Sequence, residues 1–264
     1  MAAKYERIAD DLRQQIRSQQ LAPGKQVPAQ TVLAERYRVS LPTVQQALSV
    51  LQAEGLIDAV HGIGTYVRAP RQRIRRTTDR YQWEKARALL PLDERSQTGS
   101  TEYDTGLTMD DLDFHTEYRT CDASADLARA FGVEQGTKLL HRIYRTFIHG
   151  EGPAVSLIDS YIVYEVAAAN PDLLDAGNEP WPGGTNHQLR TIGIEIDRIV
   201  DEITARPPQG DESELLGFGS GVAILVLRKK SIDTDGHVVE ISDVIMPGDR
   251  TIMIYQTQLD RWPS

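Results

Sequence analysis

The 264-residue sequence is poor in several features, and each shortage excludes a class of protein. It contains one cysteine, Cys121, so no intramolecular disulfide can form and no oxidising compartment is implied. Six scattered histidines and a single cysteine make no cluster of metal-ligand spacing, and no phosphate loop or nucleophile–base motif is present. We therefore expect no cofactor, no metal site and no enzyme activity.

Long apolar stretches are also missing. No run approaches the roughly 18 apolar residues of a membrane span, and residues 1–7 lack the apolar run of a signal peptide. These two absences predict a cytoplasmic protein with no membrane partner.

Positive charge is scarce over the whole chain but not at its beginning. The net charge is −9, yet residues 1–80 carry +6 and the remainder carries −15. A basic part can meet phosphates, whereas an acidic part is repelled by them. This asymmetry indicates two regions with different tasks.

The first 70 residues have the pattern of three helices followed by a hairpin. Apolar residues recur at helical spacing in residues 5–16, again after Pro28, and in residues 41–54, with breaks at Pro23-Gly24 and Gly55. Two short β-type runs, residues 56–60 and 65–68, flank a turn that contains glycine. This order predicts a winged helix-turn-helix over residues 1–70, in which the third helix enters the major groove of DNA.

This segment resembles the GntR family of bacterial regulators over residues 4–68. The resemblance lies in Lys4-Tyr5 through Arg17, in Leu21-Ala22-Pro23-Gly24, in residues 33–37, in Ala47-Leu48 with Leu51, in Glu54-Gly55-Leu56-Ile57 and in Gly64-Thr65-Tyr66-Val67.

Three positions depart from the family pattern. Thr31, Leu41 and Gln45 stand where the family usually has arginine, and no Lys or Arg occurs between Ser40 and Glu54. Glutamine pairs with adenine edges, and Leu41 and a threonine can meet thymine methyl groups. We therefore expect an operator richer in A·T than is usual, although a solvated helix face is the alternative for the glutamines.

The expected DNA contacts come from all parts of the segment, and Lys25, Arg36 and Arg38 are expected to hold phosphates. His61, at the tip of the hairpin, is either a DNA contact or an ordinary polar loop residue. The complete set is Lys4, Lys25, Gln30, Thr31, Arg36, Arg38, Ser40, Leu41, Thr43, Gln45, Gln46, His61, Gly62 and Thr65.

Residues 71–80 are rich in arginine and predict a flexible basic linker, either solvated or in contact with further phosphates. Beyond it, strands are predicted at 139–148 and 154–163 and near 194–205, 222–233, 237–246 and 252–258. Short helices fit 123–131, 185–192 and 210–216. Residues 81–264 therefore predict an α+β domain.

The order of elements resembles the UTRA effector domain of the HutC subfamily over about residues 103–260. The resemblance implies a chorismate-lyase-like α+β fold with an antiparallel sheet. It also implies a pocket for a small molecule that changes the geometry of two DNA-binding heads in a dimer. It rests on residues 124–128 before Gly136, on residues 140–145, on Gly152-Pro153, on residues 239–243 and on Gly248-Asp249-Arg250.

The same resemblance implies an effector site at Arg145, Phe147, Asp159, Tyr161, Glu240, Ser242 and Met246. A glutamate that is usual in the subfamily falls on Ile158 or on Asp159, depending on a shift of one residue. Phe147, Met246 and Pro247 replace polar or aromatic residues of sugar-phosphate sensors, so we expect a partly hydrophobic effector. For Arg145 a structural ion pair is the alternative, and for Phe147 and Met246 a place in the core. Residues 95–101 are either a loop over the pocket or an exposed loop.

We therefore expect a ligand-responsive repressor that binds a palindromic operator in double-stranded DNA as a homodimer. One alternative is a DNA-binding regulator whose second domain only dimerises or binds another protein. The other is a lyase-like enzyme, which fold analogy alone does not support.

Overall fold

The computed structural model describes residues 3–60, 62–69, 73–150, 152–218, 221–260 and 262. The chain divides into two compact units, Met1–Gln72 with Pro207–Ala223, and Arg73–Arg206 with Ile224–Ser264. Among the described residues, no helix combines the length and the apolar character that crossing a bilayer requires.

The first unit contains the three predicted helices, α1 (Lys4–Arg17), α2 (Gln30–Tyr37) and α3 (Leu41–Ala53). Pro42 lies in the first turn of α3, where its missing N–H has no helical partner. The apolar faces of the helices meet in one core, whose buried members are Ile8, Ala9, Leu12, Val27, Leu33, Val44, Ala47, Leu48, Leu51, Ile57 and Val67.

The predicted hairpin follows α3. Its strands β1 (Ile57–Val60) and β2 (Gly64–Val67) pair antiparallel. The N–H of Val27 donates to the carbonyl of Thr65 at 2.8 Å, and the N–H of Val67 donates to the carbonyl of Lys25 at 2.8 Å. The chain before α2 therefore pairs with β2 as a third extended segment, and these bonds hold the hairpin against the helices.

A segment far along the chain also belongs to the first unit. Pro207–Ala223 packs with it, and a Cβ added to Gly221 would lie 1.7 Å from the carbonyl oxygen of Ala53, at the end of α3. The backbone of Gly221 has φ +92°, which favours glycine. The sequence predicts the short helix here, observed at Glu212–Leu215, but not that this segment leaves the second domain.

The second unit is built on a six-stranded antiparallel sheet with strand order β4-β5-β6-β9-β8-β7. A separate two-stranded parallel pair joins β3 and β10. The strands are β3 (Ile74–Thr77), β4 (Leu112–Asp122), β5 (Lys138–Ile148), β6 (Ala154–Val163), β7 (Ile196–Arg206), β8 (Ile224–Asp233), β9 (Val238–Pro247) and β10 (Thr251–Ile254). The sequence predicts all of the large sheet except β4.

In the described part of the second unit, short α-helices accompany these strands: α4 (Asp79–Arg87), α5 (Leu92–Arg95), α6 (Ser100–Thr105), α7 (Ala125–Phe131), α8 (Tyr164–Ala167) and α9 (Gly184–Arg190). Helix α7 packs on one face of the sheet, where Leu127 and Phe131 contact the cluster that contains Leu139 and Ile241. Leu189 of α9 belongs to another cluster, with Leu140 and Ile162.

The expected flexible linker at residues 71–80 is corrected by the structure over its described part. Ile74–Thr77 is a strand, and the side chains of Arg76 and Arg80 are buried, with 9% and 6% exposure. Arg80 forms ion pairs with Glu84 at 2.8 Å and with Asp104. One carboxylate on the next turn of the helix and one 24 residues along the chain therefore hold Arg80, which the local sequence assigns to solvent or phosphate.

Candidate functional site

The solvent face of α3 and the start of α2 form a polar, uncharged surface. Gln45 and Gln46 are exposed, Leu41 is 42% exposed, and α3 has no charged residue in its first or last turn. The Gln45 side-chain amide donates to the Gln30 side-chain oxygen at 3.2 Å, which connects the two helices. Such a face offers amide and methyl groups to a partner and no cation.

Hydroxyl groups lie at the beginning of the same helix. The Oγ of Ser40 and the Oγ1 of Thr43 are 3.0 Å apart, and Ser40 and Thr31 are exposed whereas Thr43 is half-buried. At the hairpin, Gly62 is exposed in the turn and Thr65 is half-buried. His61 lies outside the described residues.

The expected phosphate ligands Lys25, Arg36 and Arg38 are exposed, and so is Lys4. Arg13 differs, since its Nε donates to Glu54 at 2.7 Å and it also pairs with Asp10. The hydrogen bond to Glu54 raises the pKa of Arg13, and this effect is larger than the opposing effect of burial. Through that bond Arg13 joins α1 to the end of α3.

The second unit contains a cavity of about 310 Å³, which we call the central cavity. Its walls come from α4, from the chain around α5 and α6, from strands β4, β5, β6, β8 and β9, and from the residues before and within α9. Its apolar lining is Met109, Phe114, Ile158, Pro180, Trp181, Pro182 and Val244, and the rest is glycine, polar or charged.

Glu240 lies at the floor of the central cavity with 1% exposure. Its Oε1 accepts from Arg142 at 2.7 Å, and its Oε2 accepts from Lys229 at 2.9 Å and from the Ser231 hydroxyl at 2.8 Å. Burial alone raises the pKa of Glu240, but the charges of Lys229 and Arg142 outweigh it and hold that pKa well below its usual range. This carboxylate is ionised and has its counter-charges within the protein.

A second carboxylate in the same wall has neutral partners. Glu179 Oε1 accepts from the Tyr144 hydroxyl at 3.0 Å and the Gln188 amide at 2.9 Å, and Oε2 accepts from the Trp181 N–H at 2.7 Å. Burial raises the pKa of Tyr144, so its hydroxyl keeps its proton and donates.

Of the seven predicted effector contacts, Glu240 and Ser242 line the central cavity. Met246 is 5% exposed, packs with Leu227 and Val244, and borders a separate cavity of about 50 Å³. Its alternative, a place in the core, is what the structure has.

The other four predicted contacts, Arg145, Phe147, Asp159 and Tyr161, do not line the central cavity. Arg145 pairs with Asp159 at 3.3 Å, which also bonds His141 at 2.8 Å, and Tyr161 stacks on His141. The lining residues of these strands are Tyr144, Thr146, Ile158 and Ser160, one position away in each strand. Because successive side chains point to opposite faces, a shift of one residue moves a whole set to the other side.

The sequence analysis missed Arg142. The register between neighbouring strands places this residue on the same face of the sheet as Glu240 and Ser242. Arg142 lies opposite Ser160, and Ser160 lies opposite Ser242. Directly opposed residues share a face, so alternation counted from Glu240 and Ser242 leads to Arg142. For residues 95–101 the sequence allows either a loop over the pocket or an exposed loop, and most of these residues line the central cavity.

Two other places in the described part of the chain gather polar side chains. A groove of about 420 Å³ lies along α4 and β7, but Tyr81 there bonds Asp201 at 2.7 Å and Lys85 pairs with Glu195 at 2.7 Å. Asp233, Asp235 and His237 meet at the turn between β8 and β9, where Asp233 accepts the N–H groups of the other two at 3.0 and 2.8 Å. These bonds close the turn and account for the cluster.

Comparison with known proteins identifies both units. Residues 4–67 match the family described as bacterial regulatory proteins, gntR family, and residues 115–252 match the UTRA domain. An HTH-type transcriptional regulator of Streptomyces coelicolor is 30% identical over 260 residues, which cover 96% of this chain and 92% of that protein. The HTH-type transcriptional repressor NagR of Bacillus subtilis is 25% identical over 254 residues, covering 95% and 93%.

A crystal structure of a GntR-family transcriptional regulator resembles this chain with a TM-score of 0.66 at 24% identity, covering 98% of both chains. The predicted fold class, a winged helix-turn-helix followed by a UTRA domain with an antiparallel sheet, is thus confirmed.

Proposed function

This chain belongs to the GntR family of bacterial regulatory proteins and carries a UTRA domain, and from that premise we propose how it works as a ligand-responsive DNA-binding transcriptional regulator. It is a homodimeric repressor that binds a palindromic operator through residues 1–70. A small effector bound in residues 81–264 releases it. The observation that carries the proposal is the central cavity, with its buried charges and apolar walls, in a chain that also presents the exposed face of α3.

The exposed face of α3 supports a particular mode of DNA reading. Gln45 and Gln46 present amides suited to adenine, while Leu41 and Thr43 present apolar groups suited to thymine methyls. Lys4, Lys25, Arg36 and Arg38 hold phosphates, and the other predicted contacts in α2 and the hairpin complete the surface. The operator is therefore rich in A·T.

A homodimer follows from the small size of this surface. One head offers few contacts, whereas two heads on a two-fold axis read two half-sites of an inverted repeat. The acidic remainder of the chain, at −15, contributes no phosphate contact. A regulator of this kind works where the chromosome lies, so the cytoplasm is the proposed location.

The central cavity takes the effector, and no catalytic role is proposed for it. Glu240 and Arg142 neutralise each other, and Phe114, Ile158 and Trp181 provide apolar contact, which suits a partly hydrophobic molecule. Ligand binding and operator binding are coupled, and the coupling is reciprocal.

The test of DNA reading is selection of sites from a random double-stranded library with the full chain. Inverted repeats with A·T-rich half-sites are expected, and Gln45→Ala relaxes the preference at one position per half-site, at a cost of about 1–3 kcal/mol for each bidentate pair lost. Half-sites dominated by G·C would contradict the proposal.

The test of effector control uses the selected operator. A metabolite library is screened by thermal shift, since a ligand of the native state raises stability by mass action. A compound that raises the melting temperature also lowers operator affinity in fluorescence anisotropy. A dimeric, operator-binding chain whose affinity no stabilising compound changes would instead favour a second domain that only dimerises.

A further inference from the structure

Four charged side chains of the central cavity lack complete hydrogen bonding. In the part of the second unit that the structure describes, buried polar atoms of Arg76, Arg87, Arg95 and Glu102 have no hydrogen-bond partner, and all four residues line the central cavity. The other nitrogens of Arg76 contact Asp104 and Tyr81, which leaves Arg87, Arg95 and Glu102. Buried polar groups are nearly always paired, so a concentration of unpaired ones at one cavity needs a physical reason.

Glu102 is the most exceptional of them. It is 3% exposed, and neither carboxylate oxygen has a hydrogen-bond partner among the described residues. Glu240 in the same cavity is equally buried, yet it receives a lysine, an arginine and hydroxyls. A buried carboxylate without a donor is costly, so Glu102 is prepared for a donor that comes from outside the chain.

Arg87 and Arg95 present the opposite charge. Nη1 of Arg87 donates to the carbonyl of Arg95 at 2.7 Å and to that of Thr98, and Nη1 of Arg95 donates to the carbonyl of Leu90 at 3.0 Å. These acceptors are neutral, and the Nε of each arginine is buried without a partner among the described residues. Backbone carbonyls thus orient both guanidinium groups. The charges of Glu84 and Glu102 also act on Arg87, but burial outweighs them and lowers the pKa of its guanidinium group.

Two glycines lie beside these arginines. A Cβ on Gly184 would lie 3.7 Å from Nη2 of Arg87, and a Cβ on Gly183 would lie 2.6 Å from Cβ of His187 and 3.3 Å from Cδ of Arg95. Both glycines line the cavity and have positive φ, +95° for Gly183 and +59° for Gly184. The start of α9 therefore lies against both arginines at the cavity wall.

We infer that the effector is a small zwitterion of the amino-acid type, with a protonated amine for Glu102, a carboxylate for Arg87 and Arg95, and an apolar body between the walls. The inference rests on the proposed function, since it names the ligand class of the same cavity. A neutral apolar molecule leaves Glu102 without a donor, and a polyanion is opposed by Glu102 and Glu179. A zwitterion satisfies both groups at once.

The residues that carry this inference lie outside the matched domains. Arg87, Arg95 and Glu102 fall between residues 4–67 and residues 115–252.

The experiment compares matched ligands on the full chain by thermal shift and calorimetry. The probes are the twenty standard amino acids, and for phenylalanine, leucine and methionine also the amine that lacks the carboxylate and the acid that lacks the amine. Phenethylamine and 3-phenylpropionate are such a pair for phenylalanine. We expect at least one amino acid to bind, and each single-group analogue to bind at least about tenfold more weakly.

Variants connect the amine to its partner. Glu102→Gln weakens the binding amino acid by about tenfold to a hundredfold, because a charge-assisted hydrogen bond is lost. It leaves the affinity for the acid that lacks the amine unchanged. The melting temperature of ligand-free Glu102→Gln is not lowered, because the substitution removes an unpaired buried charge. Glu165→Gln, an exposed glutamate of α8, is the matched control and changes nothing.

Each contrary outcome separates the inference from the proposed function. If a compound without an amine raises the melting temperature and releases the operator as well as any amino acid does, the zwitterion is excluded and effector control stands. Equal loss of affinity for the amino acid and its deaminated acid in Glu102→Gln also excludes it. If no amino acid binds while another metabolite does, the ligand class is wrong. If nothing binds or releases DNA, the proposed effector control fails as well.

Discussion

At the scale of single residues, the second unit depends on buried charges that are balanced one by one. Arg142 and Glu240 are each 1% exposed, and their carboxylate–guanidinium contact is 2.7 Å. Arg142 also donates to Gln188 at 2.6 Å and to Ser160 at 2.7 Å. Removing Arg142 leaves Lys229 as the remaining cation beside Glu240, so the buried carboxylate loses part of its compensation, which costs more than replacing both partners by apolar groups.

Arg142→Ala is therefore expected to lower the free energy of unfolding of the second unit by about 3–5 kcal/mol in urea denaturation. The control is Arg119→Ala, since Arg119 lies on β4 and pairs with Glu117 at the surface. That control should leave stability nearly unchanged. Equal decreases in the free energy of unfolding for the two variants would mean that burial does not determine how much an ion pair contributes to stability.

His187 makes stability depend on pH. The Trp181 indole N–H donates to Nδ1 of His187 at 2.9 Å, which requires that nitrogen to be unprotonated. Burial, with Arg95 and Arg190 nearby, lowers the pKa of His187 below its usual value of 6.5. At a pH just below 6.5 the unfolded chain therefore binds a proton at His187 more readily than the folded chain does. The stability that neutral His187 contributes is present above pH 6.5 and is lost as the pH falls below that value.

His187→Gln keeps an acceptor for the indole and cannot be protonated. Between about pH 7.5 and 5.5, the free energy of unfolding should fall less in this variant than in the wild type. His115→Gln removes an exposed histidine and should leave the wild-type pH dependence intact. A wild-type curve that is flat across this range would contradict the assignment.

At the scale of elements, two features were not predictable from local sequence: the face of the sheet on which each strand residue lies, and the packing of Pro207–Ala223 with the first unit. The sequence locates β5 and β6 within a residue of their observed bounds, yet four of its effector residues point away from the central cavity. Hydrophobic alternation is weak there, because both faces of these strands carry polar side chains. Only the sheet's neighbours decide which face is covered by α7 and which forms the cavity.

Gly221 provides a test of the long-range segment. Backbone strain at a positive φ costs about 1–3 kcal/mol. Gly221→Ala should destabilise the first unit by more than this, because the added methyl group would also clash with the carbonyl of Ala53. Gly210→Ala is the matched control, with φ +55° and open space around its Cβ. Thermal unfolding followed by circular dichroism measures both, and equal shifts would show that the segment does not press on the end of α3.

At the scale of the whole molecule, an acidic chain has to bind a polyanion through a small basic region. The +6 of residues 1–80 overstates the charge available, because Arg76 and Arg80 are buried in the second unit with Glu84 and Asp104. Exposed cations such as Lys25 and Arg38 remain at the first unit. Operator binding should therefore fall steeply with salt, with a slope set by few contacts.

Lys25→Gln should weaken operator binding uniformly across sequences and reduce the salt slope by about one for each copy in the dimer. Arg129→Gln removes the same charge from exposed α7 of the second unit and should change neither quantity. Anisotropy titrations over a range of salt concentrations measure the slope. An unchanged salt slope for Lys25→Gln would show that Lys25 does not contact a phosphate.

The sequence by itself determined the winged helix, because local signals specify it. Apolar spacing, Pro and Gly stops and a glycine turn act within a few residues, and the observed helices lie within one residue of their predicted bounds or start just after Pro28. It also determined the antiparallel α+β class and the uncharged face of α3.

The tertiary structure alone decided the central cavity. Its floor pairs residues about 100 positions apart, such as Arg142 with Glu240, and its wall uses arginines and a glutamate from a stretch without a clear pattern. Charge balance and burial depend on which segments meet, and no local period encodes that. For this reason the helices, hairpin and core of the first unit could be predicted from the sequence, whereas the central cavity required the fold.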